Sequence, residues 1–408
     1  MRRRRRRARV ICINVDLINV DLTFRSCHHG DVSTLIGSTE AATTLGVTKP
    51  TLYAYVSRGL VARQVAVDGR TSLYDRTEIE ALANRSRRQP AAERPSIDVK
   101  IATAITRLHD DSPTYRGDRV VDLVTTRSFE QVADLLFADG RPESAWRLDT
   151  AALTRARTIV DAAAPVSPIT ALGLAAMSLD GESSADAAVV ARQLLTIAPS
   201  ILGGPQNGGI AGRLTRAWRR RPPPELVDAV STALILLADH ELATSTLAVR
   251  VAASVRTSPA AAIATGLHVV AGPFHGAASQ AASRLFELAA DVGATDAVGS
   301  YRRRGERLPG FGHSVYRRGD PRFEPLLGAV RRIPAPAERL RIVDEVIAEA
   351  GRSIGHLPNI DLALGALYHV ADLPADAPVF AVARVAGWAA HYDEELGERP
   401  VRFRGLSR

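Results

Sequence analysis

The chain has 408 residues, of which 46% are hydrophobic and 24% charged, and this predicts two or three globular domains. Its net charge of +8 lies in the first fifth: residues 1–31 carry +5, residues 37–90 carry +3, and residues 91–408 are neutral overall. Most of the chain therefore lacks the charge that nucleic-acid binding needs, and only its beginning keeps that option open.

Cysteine positions and hydropathy indicate the cellular compartment. The two cysteines are Cys12 and Cys27, so nothing after residue 30 can form a disulfide, and we expect the folded part to be cytoplasmic. No apolar run reaches the ~18 residues that a membrane helix needs, so no membrane partner is expected.

Residues 1–36 lack the hydrophobic pattern of a folded domain. Six arginines, Arg2–Arg7, precede the tandem repeat Ile-Asn-Val-Asp-Leu at 13–17 and 18–22. The aspartate in each repeat interrupts the apolar stretch that a signal peptide would need. We therefore predict a disordered extension. Its origin would be a start codon upstream of the real start, for which Val32 is the candidate. Nucleic-acid binding by the arginines is the alternative.

Residues 37–85 have the pattern of a small winged helical module. Its predicted elements are a helix from Ser38 or Thr39 to Leu45, a helix from Thr48 to Gly59, a hairpin of 61–67 with 71–74, and a helix from Arg76 to Asn84. Asp68-Gly69 is a strong signal for the hairpin turn, and Gly46 supplies the turn between the first two helices.

This module resembles the MerR and excisionase-like winged helix-turn-helix families, whose spacing fits Ala42, Gly46, Val47, Leu52 and Tyr55. The resemblance implies DNA binding through the second helix. The side chains expected to face a major groove are Thr48, Lys49, Thr51, Tyr53 and Arg58. An interaction or dimerisation surface is the alternative, because one lysine on this helix is little charge for DNA.

The rest of the chain is predicted to be helical. Residues 86–96 are polar and contain prolines, which is typical of a linker. From residue 97 to 408 apolar residues recur at helical spacing, which predicts a mainly α protein with an all-helical region here. Clear examples are Phe129–Phe137, Leu226–Leu237, Leu242–Val255 and Val379–Trp388.

Four separate segments place polar residues beside glycine, proline or apolar neighbours: Ala238–Glu241, Gly272–Gly276, Pro309–His313 and Pro358–Asp361. Glycine lets backbone approach a ligand closely, and proline fixes the turn that aims a side chain. Histidines, an aspartate and arginines in such settings indicate proton abstraction beside a carbonyl and binding of an anionic substrate. A metal site is the rival interpretation, disfavoured because no histidines are paired at i, i+3 or i+4.

The run Leu308–Arg317, continued by Asp320-Pro321-Arg322, is the most specific of these motifs, and here the chain resembles citrate synthase. Other segments follow in that family's order at Tyr115–Gly117, Ala238–Glu241, Gly272–Gly276 and Phe380–Trp388. The resemblance spans about residues 97–408. It implies the all-helical citrate synthase fold of a large and a small domain, with the small domain inserted at roughly 276–360.

The resemblance implies condensation of acetyl-CoA with oxaloacetate to give citrate and CoA, and it assigns three catalytic roles. Asp361 matches the base that removes a proton from the acetyl-CoA methyl group. His275 matches the residue that hydrogen-bonds the thioester carbonyl, and His313 the residue that polarises the carbonyl of the 2-oxo acid. No metal or redox cofactor is implied.

The resemblance also assigns binding residues. His240, Arg322 and Arg384 match the residues that hold the oxaloacetate carboxylates. Arg399 matches an arginine that dimers of the family donate to the partner's site, so a homodimer is expected. The residues that match the CoA site are Arg317, Gly310, Gly312 and Phe380.

Two alternatives stay open. Leu237, Ser279 and Leu362–Gly365 depart from the residues usual in the family. Because 2-methylcitrate synthases share the catalytic residues, propionyl-CoA is an alternative substrate. A DNA-binding metabolite sensor built on a synthase fold is the other alternative, and the retention of Asp361 argues against it.

Overall fold

The computed structural model describes residues 35–57, 61–66, 71–86, 101–109, 112–141, 146–181, 186–272, 275–313, 315–316 and 318–403. The chain separates into two compact units, residues 1–98 and residues 99–408. Residues 1–34, most of the predicted linker, Arg58 and Arg317 lie outside the described residues. The predictions made for them stay predictions, as do the limits of the small domain.

Six short elements make up the described part of the first unit: β1 (Leu35–Gly37), α1 (Ser38–Leu45), α2 (Lys49–Ser57), β2 (Gln64–Val65), β3 (Ser72–Asp75) and α3 (Arg76–Ser86). The strands form an antiparallel sheet in the order β1-β3-β2. Gly46 ends α1 with φ 68°, and its N–H donates to the carbonyls of Ala42 and Thr43. A small core that includes Leu52, Tyr74 and Ile79 holds these elements together.

The structure corrects four details of the prediction for this unit, one being that the strand predicted at 61–67 covers only Gln64–Val65 of the described residues 61–66. β1 overlaps the end of the extension that was predicted to be disordered, residues 1–36. It forms a strand there because Ile36 is buried in the small core and pairs with β3. The residue before α1 is Gly37, which makes no side-chain cap, rather than Ser38 or Thr39. The last helix continues to Ser86. The assignment to a helix-turn-helix family stays a prediction.

The second unit opens with a three-stranded antiparallel sheet of β4 (Thr106–His109), β5 (Ser112–Tyr115) and β6 (Asp118–Arg119). The prediction of an all-helical region is wrong here. Arg116 and Gly117 both have positive φ, 49° and 101°, as a two-residue hairpin turn requires. Tyr115 is buried, and its hydroxyl donates to the carbonyl of Asp239 at 3.0 Å, which ties the sheet to the segment that carries His240.

Fifteen helices follow in the described residues and make the region mainly helical, as predicted: α4 (Val120–Thr126), α5 (Phe129–Phe137), α6 (Thr150–Ala163), α7 (Pro168–Met177), α8 (Ala187–Ile201), α9 (Ile210–Trp218), α10 (Pro224–Leu237), α11 (Thr244–Ser254), α12 (Pro259–Val270), α13 (Ala278–Val292), α14 (Ala294–Arg304), α15 (Phe323–Arg331), α16 (Ala337–Ser353), α17 (Ile360–Ala371) and α18 (Val379–Leu396). The four helices given as examples from the sequence correspond to α5, α10, α11 and α18. None of the described helices is long and apolar enough to cross a membrane.

Two helices at the centre of this unit, α17 and α18, position the polar motifs. α17 packs on α13 and α15, whereas α18 packs on α8, α10, α11 and α12. Every residue from Leu362 to Leu367 and from Ala381 to Tyr392 is buried. A helix buried on all sides belongs to the core of a domain. The side chains that these helices present to a cavity are therefore held by packing on every other face.

Candidate active site

One cavity of about 360 Å³ gathers seven of the side chains predicted for catalysis or substrate binding. Its lining includes the first residue of α11, the first turn of α17 and the first turns of α18. The predicted residues in its wall are His240, His275, His313, Arg322, Asp361, Phe380 and Arg384. These residues are far apart in the chain, and the packing of the helices brings them together.

Asp361 lies in the first turn of α17. Asn359 caps this helix by accepting a hydrogen bond from the Asp361 N–H at 3.0 Å. Burial raises the pKa of Asp361 to about 6, although the charges of Arg322 and Arg384 oppose the shift. A carboxylate with this pKa is a stronger base than an exposed aspartate and is still mostly ionised at neutral pH.

The glycine-rich loop 309–313 is fastened to the start of α17. Asn359 donates through its backbone N–H to the carbonyl of Gly310 at 2.9 Å and through its side-chain amide to that of Gly312 at 2.7 Å. Gly310 has φ 79°, and a Cβ there would lie 2.6 Å from the Cβ of Leu362, so only glycine fits. The loop 309–313 and the start of α17, which are separate in the sequence, are therefore joined by hydrogen bonds and close packing.

His275 is held at the N-terminus of α11. The N–H of Ser245 donates to Nε2 of His275 at 3.3 Å, and the Ser245 hydroxyl lies 2.8 Å from the same nitrogen. Because a backbone N–H can only donate, Nε2 is unprotonated and the neutral ring carries its proton on Nδ1. Burial, reinforced by the charge of Arg384, lowers the pKa of His275 to about 4. At neutral pH this ring can therefore donate one hydrogen bond without being charged.

His313 and His240 form an aromatic group with Tyr316. Nδ1 of His313 accepts from the N–H groups of Val315 and Tyr316, at 3.0 and 3.2 Å, which leaves Nε2 as the protonated nitrogen. The rings of His240 and His313 are 5.3 Å apart, and Nε2 of His240 lies 3.2 Å from the Tyr316 hydroxyl. Burial, followed by the charge of Arg322, lowers the pKa of both histidines, so both are neutral donors.

Arg322 is buried, and Asp320 balances its charge. The guanidinium donates two parallel hydrogen bonds to the Asp320 carboxylate, at 2.9 and 2.8 Å. The same carboxylate accepts from the N–H of Ile360 at 3.0 Å, so the pair is tied to the start of α17. Although burial opposes it, the charge of Arg322 lowers the pKa of Asp320. Arg322 is thereby fixed in its orientation in the cavity wall.

Arg384, on α18, is buried without a carboxylate partner among the described residues. Its Nε donates to the carbonyl of Leu237 at 2.8 Å, while its Nη1 has no hydrogen-bond partner in the described part of the chain. Burial lowers the pKa of Arg384, but a guanidinium stays charged at neutral pH. A buried, charged and incompletely bonded arginine in a cavity is suited to binding a substrate carboxylate.

A larger cavity of about 880 Å³ shares His313 and Asp361 with the first. Its wall contains two cationic residues, Arg302 and Arg307, and Gly312 of the glycine-rich loop. The two cavities together could hold a small acid in one and a bulky anionic substrate in the other, with their reactive ends meeting at the shared residues.

The residues predicted for the CoA site and for the dimer contact occupy different places. Gly310 shapes the loop and Gly312 lines the larger cavity, whereas Arg317 lies outside the described residues. Phe380 lines the smaller cavity, and its ring lies 5.9 Å from that of His275. Arg399 is exposed in the tail after α18 and does not line the cavity of its own chain.

The residues predicted to contact DNA belong to the first unit. Thr48, Lys49 and Tyr53 are exposed near the start of α2, and Thr51 is half-buried. The hydroxyls of Thr48 and Thr51 lie 2.9 Å apart. Arg58 lies outside the described residues.

Three side chains that shape the site escaped prediction from the sequence: Ser245, Tyr316 and Asp320. The role of Asp320 could have been predicted from its position two residues before an arginine that was expected in the site. A buried guanidinium needs a counter-charge, and Asp320 is close enough in sequence to supply it. Ser245 lies 30 positions before His275 in the chain, and no local sequence pattern predicts their contact.

Comparison with known proteins identifies the family. The family profile described as citrate synthase, C-terminal domain, matches residues 98–404. The chain is 29% identical over 345 residues to 2-methylcitrate synthase of Mycobacterium tuberculosis (strain H37Rv), covering 74% of this chain and 88% of that protein. It is 32% identical over 198 residues to citrate synthase of Synechocystis sp., covering 45% of this chain and 48% of that protein.

A solved structure gives the same answer for the fold. The crystal structure of citrate synthase from Pyrobaculum aerophilum superposes with a TM-score of 0.64 at 24% identity, covering 76% of this chain and 89% of that chain. The fold of the second unit is therefore that of citrate synthase. Together with the family profile, which matches most of the chain, this establishes that the chain belongs to the citrate synthase family.

Proposed function

We propose that this chain condenses acetyl-CoA with oxaloacetate to give citrate and CoA. The observation that supports the proposal is a single cavity that combines a half-buried carboxylate of raised pKa, neutral histidines and two buried arginines. A thioester methyl needs a base and a hydrogen-bond donor for its enolate, whereas a 2-oxo dicarboxylate needs cationic partners and a donor for its carbonyl. The cavity offers a group for each need.

In the first step Asp361 takes a proton from the methyl group of the acetyl thioester. The electron pair of the broken C–H bond forms the enolate, whose charge develops on the thioester oxygen. The Nδ1–H of neutral His275 donates a hydrogen bond to that oxygen. Burial of Asp361 serves this step because it raises the proton affinity of the carboxylate without preventing its ionisation.

In the second step the enolate carbon attacks the carbonyl carbon of oxaloacetate, and a carbon–carbon bond forms while the π pair of the C=O bond moves to its oxygen. That oxygen takes up a proton to become the hydroxyl of citrate, and Asp361 returns its proton to solvent. The Nε2–H of His313 donates to the carbonyl oxygen as negative charge develops there. His240, Arg322 and Arg384 hold the carboxylates, with Arg384 supplying the unbonded Nη1. Water then hydrolyses the thioester, which releases CoA and citrate.

The CoA part of the substrate is assigned to the larger cavity. Gly310 and Gly312 shape the loop beside it, and Arg302 and Arg307 add positive charge for phosphates. Phe380 lies against His275, next to the place proposed for the reacting methyl group. Arg317 completes the proposed CoA site from the same segment of sequence.

The test is a thiol-release assay with matched panels of acyl-CoA and 2-oxo acids. We expect the highest kcat/KM for acetyl-CoA with oxaloacetate and no CoA release when the 2-oxo acid is omitted. Mass spectrometry identifies citrate as the product. Release of CoA at the same rate without any 2-oxo acid would indicate a thioesterase and contradict the proposal.

A second candidate reaction uses propionyl-CoA and gives 2-methylcitrate. It is supported by the similarity of this chain to a 2-methylcitrate synthase over 345 residues. One methylene in a fitted pocket changes kcat/KM by about 10- to 200-fold, so the assay separates the two reactions clearly. A preference for propionyl-CoA in the panel would replace citrate by 2-methylcitrate as the product while leaving the roles of the residues unchanged.

We further propose a homodimer in which Arg399 of one subunit enters the cavity of the other. Arg399 is exposed, and the tail that carries it adjoins apolar side chains. Val251, Val255 and Val401 are 39%, 54% and 40% exposed, and the N–H of Val401 donates to Ser254 at the end of α11. Light scattering at assay concentration tests the assembly; a fully active monomer would contradict it.

The reaction is proposed to proceed without a metal or redox cofactor. In the described parts of the chain, no three or more His, Cys, Asp or Glu side chains are placed to hold a metal ion. Turnover should therefore be unchanged after dialysis against a chelator, and a loss that added metal restores would contradict this. A cytoplasmic location is proposed on the cysteine pattern alone.

DNA binding by the first unit is a separate proposal. It is supported by the exposure of Thr48, Lys49 and Tyr53 near the start of α2 and by the net charge of +3 over residues 37–90. With so few cations the expected binding is weak and falls steeply with salt. Duplex binding at two salt concentrations, with and without oxaloacetate, tests it and also tests the sensor alternative, because linked sites influence each other reciprocally.

A further inference from the structure

Five ionisable side chains form a chain of hydrogen bonds from the substrate cavity to the C-terminal tail: Asp239, His391, Arg250, Glu395 and Arg402. The first four are at most 1% exposed. The proposed reaction uses none of them directly. We refer to these five residues as the buried charge chain.

At the cavity end, the Asp239 carboxylate fixes the backbone at Glu241, the residue that follows His240. Its Oδ2 accepts from the Thr106 hydroxyl at 2.6 Å and from the Glu241 N–H at 3.1 Å, and lies 3.2 Å from Nε2 of His391. Glu241 has φ 50°, a conformation that a residue with a Cβ rarely adopts. The hydrogen bonds to Asp239 therefore maintain a strained turn that aims His240 into the cavity.

In the middle of the buried charge chain, Arg250 sets the protonation pattern of His391. Nη1 of Arg250 lies 3.1 Å from Nδ1 of His391. A guanidinium can only donate, so Nδ1 accepts and Nε2 carries the proton that is donated to Asp239. Arg250 is oriented by Nε, which donates to Glu395 at 2.8 Å, and by Nη1, which also donates to Glu394 at 2.5 Å.

At the tail end, Arg402 shares the Glu395 carboxylate with Arg250. It donates two hydrogen bonds to Glu395, at 2.7 and 2.5 Å. The two arginines thus approach one buried carboxylate, and Arg402 donates to both of its oxygens. Arg402 therefore helps to fix the group that orients Arg250.

We propose that Arg402 is a positioning residue for the 2-oxo-acid side of the cavity. Without it, Glu395 either binds Arg250 more closely or turns toward solvent, and in both cases the bond from Arg250 to His391 is disturbed. Asp239 then loses an oriented donor, and His240 is no longer held. The proposal rests on the proposed function only in taking a 2-oxo dicarboxylate as the ligand.

The prediction is selective, because His240 lines the smaller cavity, whereas no member of the buried charge chain lines the larger one. In Arg402→Ala we expect KM for oxaloacetate to rise by about tenfold, with KM for acetyl-CoA within about twofold, in line with couplings between networked residues. Arg402→Lys, which keeps the charge but loses the paired hydrogen bonds, should fall between wild type and Arg402→Ala. General loss of folded protein would lower kcat and leave both KM values unchanged.

A double-mutant cycle tests transmission along the chain. His391→Phe removes the link to Asp239 while keeping a ring of similar shape, so Arg402→Ala should add no further rise in KM in that background. If Arg402 acts only by moving Arg399 in the same tail, the rises in KM caused by Arg402→Ala and His391→Phe should instead add. The matched control is Arg331→Ala, which breaks an exposed ion pair with Asp344 and should change neither KM.

Binding of oxaloacetate by calorimetry keeps this inference separate from the proposed reaction. If wild type binds oxaloacetate but shows no turnover, the proposed function fails, and the shift in Kd for Arg402→Ala still tests positioning. Melting temperatures measured in parallel show that each variant is folded, and Arg402→Lys carries the test if Arg402→Ala is not. An unchanged KM and Kd for oxaloacetate in a folded Arg402 variant, or additive effects in the cycle, would overturn the inference.

Discussion

The two units of this chain differ in whether they bury positive charge. In the first unit Lys49 and Arg63 are exposed, and residues 37–90 carry a net +3. In the second unit Arg322 and Arg384 are 3% and 1% exposed, although residues 91–408 have no net charge. Exposed charges act at a distance and are screened by salt, whereas buried charges are shielded from solvent and act on groups in contact with them. Net charge therefore points to a partner only for the first unit.

Within the second unit, the two buried arginines differ in how their charges are balanced. Arg322 is held by Asp320 in a paired hydrogen bond, and Arg384 has one nitrogen without a partner in the described residues. Burying a guanidinium without full compensation is costly, so such an arrangement is retained where a ligand completes it. In this family member, the buried cation that lacks both a carboxylate partner and a full set of hydrogen bonds in the described residues lines the substrate cavity.

The largest expected effect comes from the single carboxylate proposed as base. Asp361→Asn keeps the shape but removes the proton acceptor, so kcat should fall by about 10²- to 10⁴-fold. The dissociation constant of oxaloacetate should change little, since Arg322 and Arg384 remain. Stopped-flow or thiol-release kinetics with parallel calorimetry measure both quantities. Activity within about threefold of wild type would show that another group is the base.

Removing a buried cation should matter far more than removing an exposed one. Arg384→Met keeps much of the side-chain volume and should raise KM for oxaloacetate by about 10- to 100-fold. This change corresponds to the free energy lost with one hydrogen bond to a charged group. Lys49→Met removes the same charge from the first unit and should leave both kcat and KM unchanged. Equal effects of the two variants would break the distinction between the units.

The pH dependence of kcat/KM tests the burial of Asp361. The base acts when ionised, and its pKa is raised from 3.8 to about 6, so activity should fall as pH drops through about 6. The pKa of His275 is lowered to about 4, so this ring stays neutral as the pH passes through 6 and adds no loss of its own there. A midpoint near 4 would mean that Asp361 is solvated in the working enzyme.

The smallest effect on turnover is expected from removing the first unit. Because the chain separates at residues 98 and 99, a fragment of residues 97–408 should keep kcat within about twofold of residues 32–408, as separate domains generally do. Any salt-sensitive binding to duplex DNA should be lost with residues 32–96. An inactive, folded 97–408 fragment would show that the first unit belongs to the enzyme.

Local sequence was sufficient for the four helices singled out in the second unit and insufficient for the strands β4 to β6. Phe129–Phe137 was predicted with its bounds, since a helical period follows a capping box formed by Ser128 and Gln131. The strands β4 to β6 have two to four residues, too few to show an alternating pattern. Contacts distant in sequence, such as that of Tyr115 with Asp239, hold this sheet in place.

The sequence by itself determined the family motifs and, through them, the identity of the groups in the cavity, because residue types at fixed local spacing are visible without a fold. It also located four helices of the second unit, α5, α10, α11 and α18, since their periods are local. The tertiary structure decided which protons those groups carry: Nδ1–H on His275, Nε2–H on His313 and a raised pKa for Asp361. Burial and hydrogen-bond partners set protonation, and here they come from helices far apart in the chain.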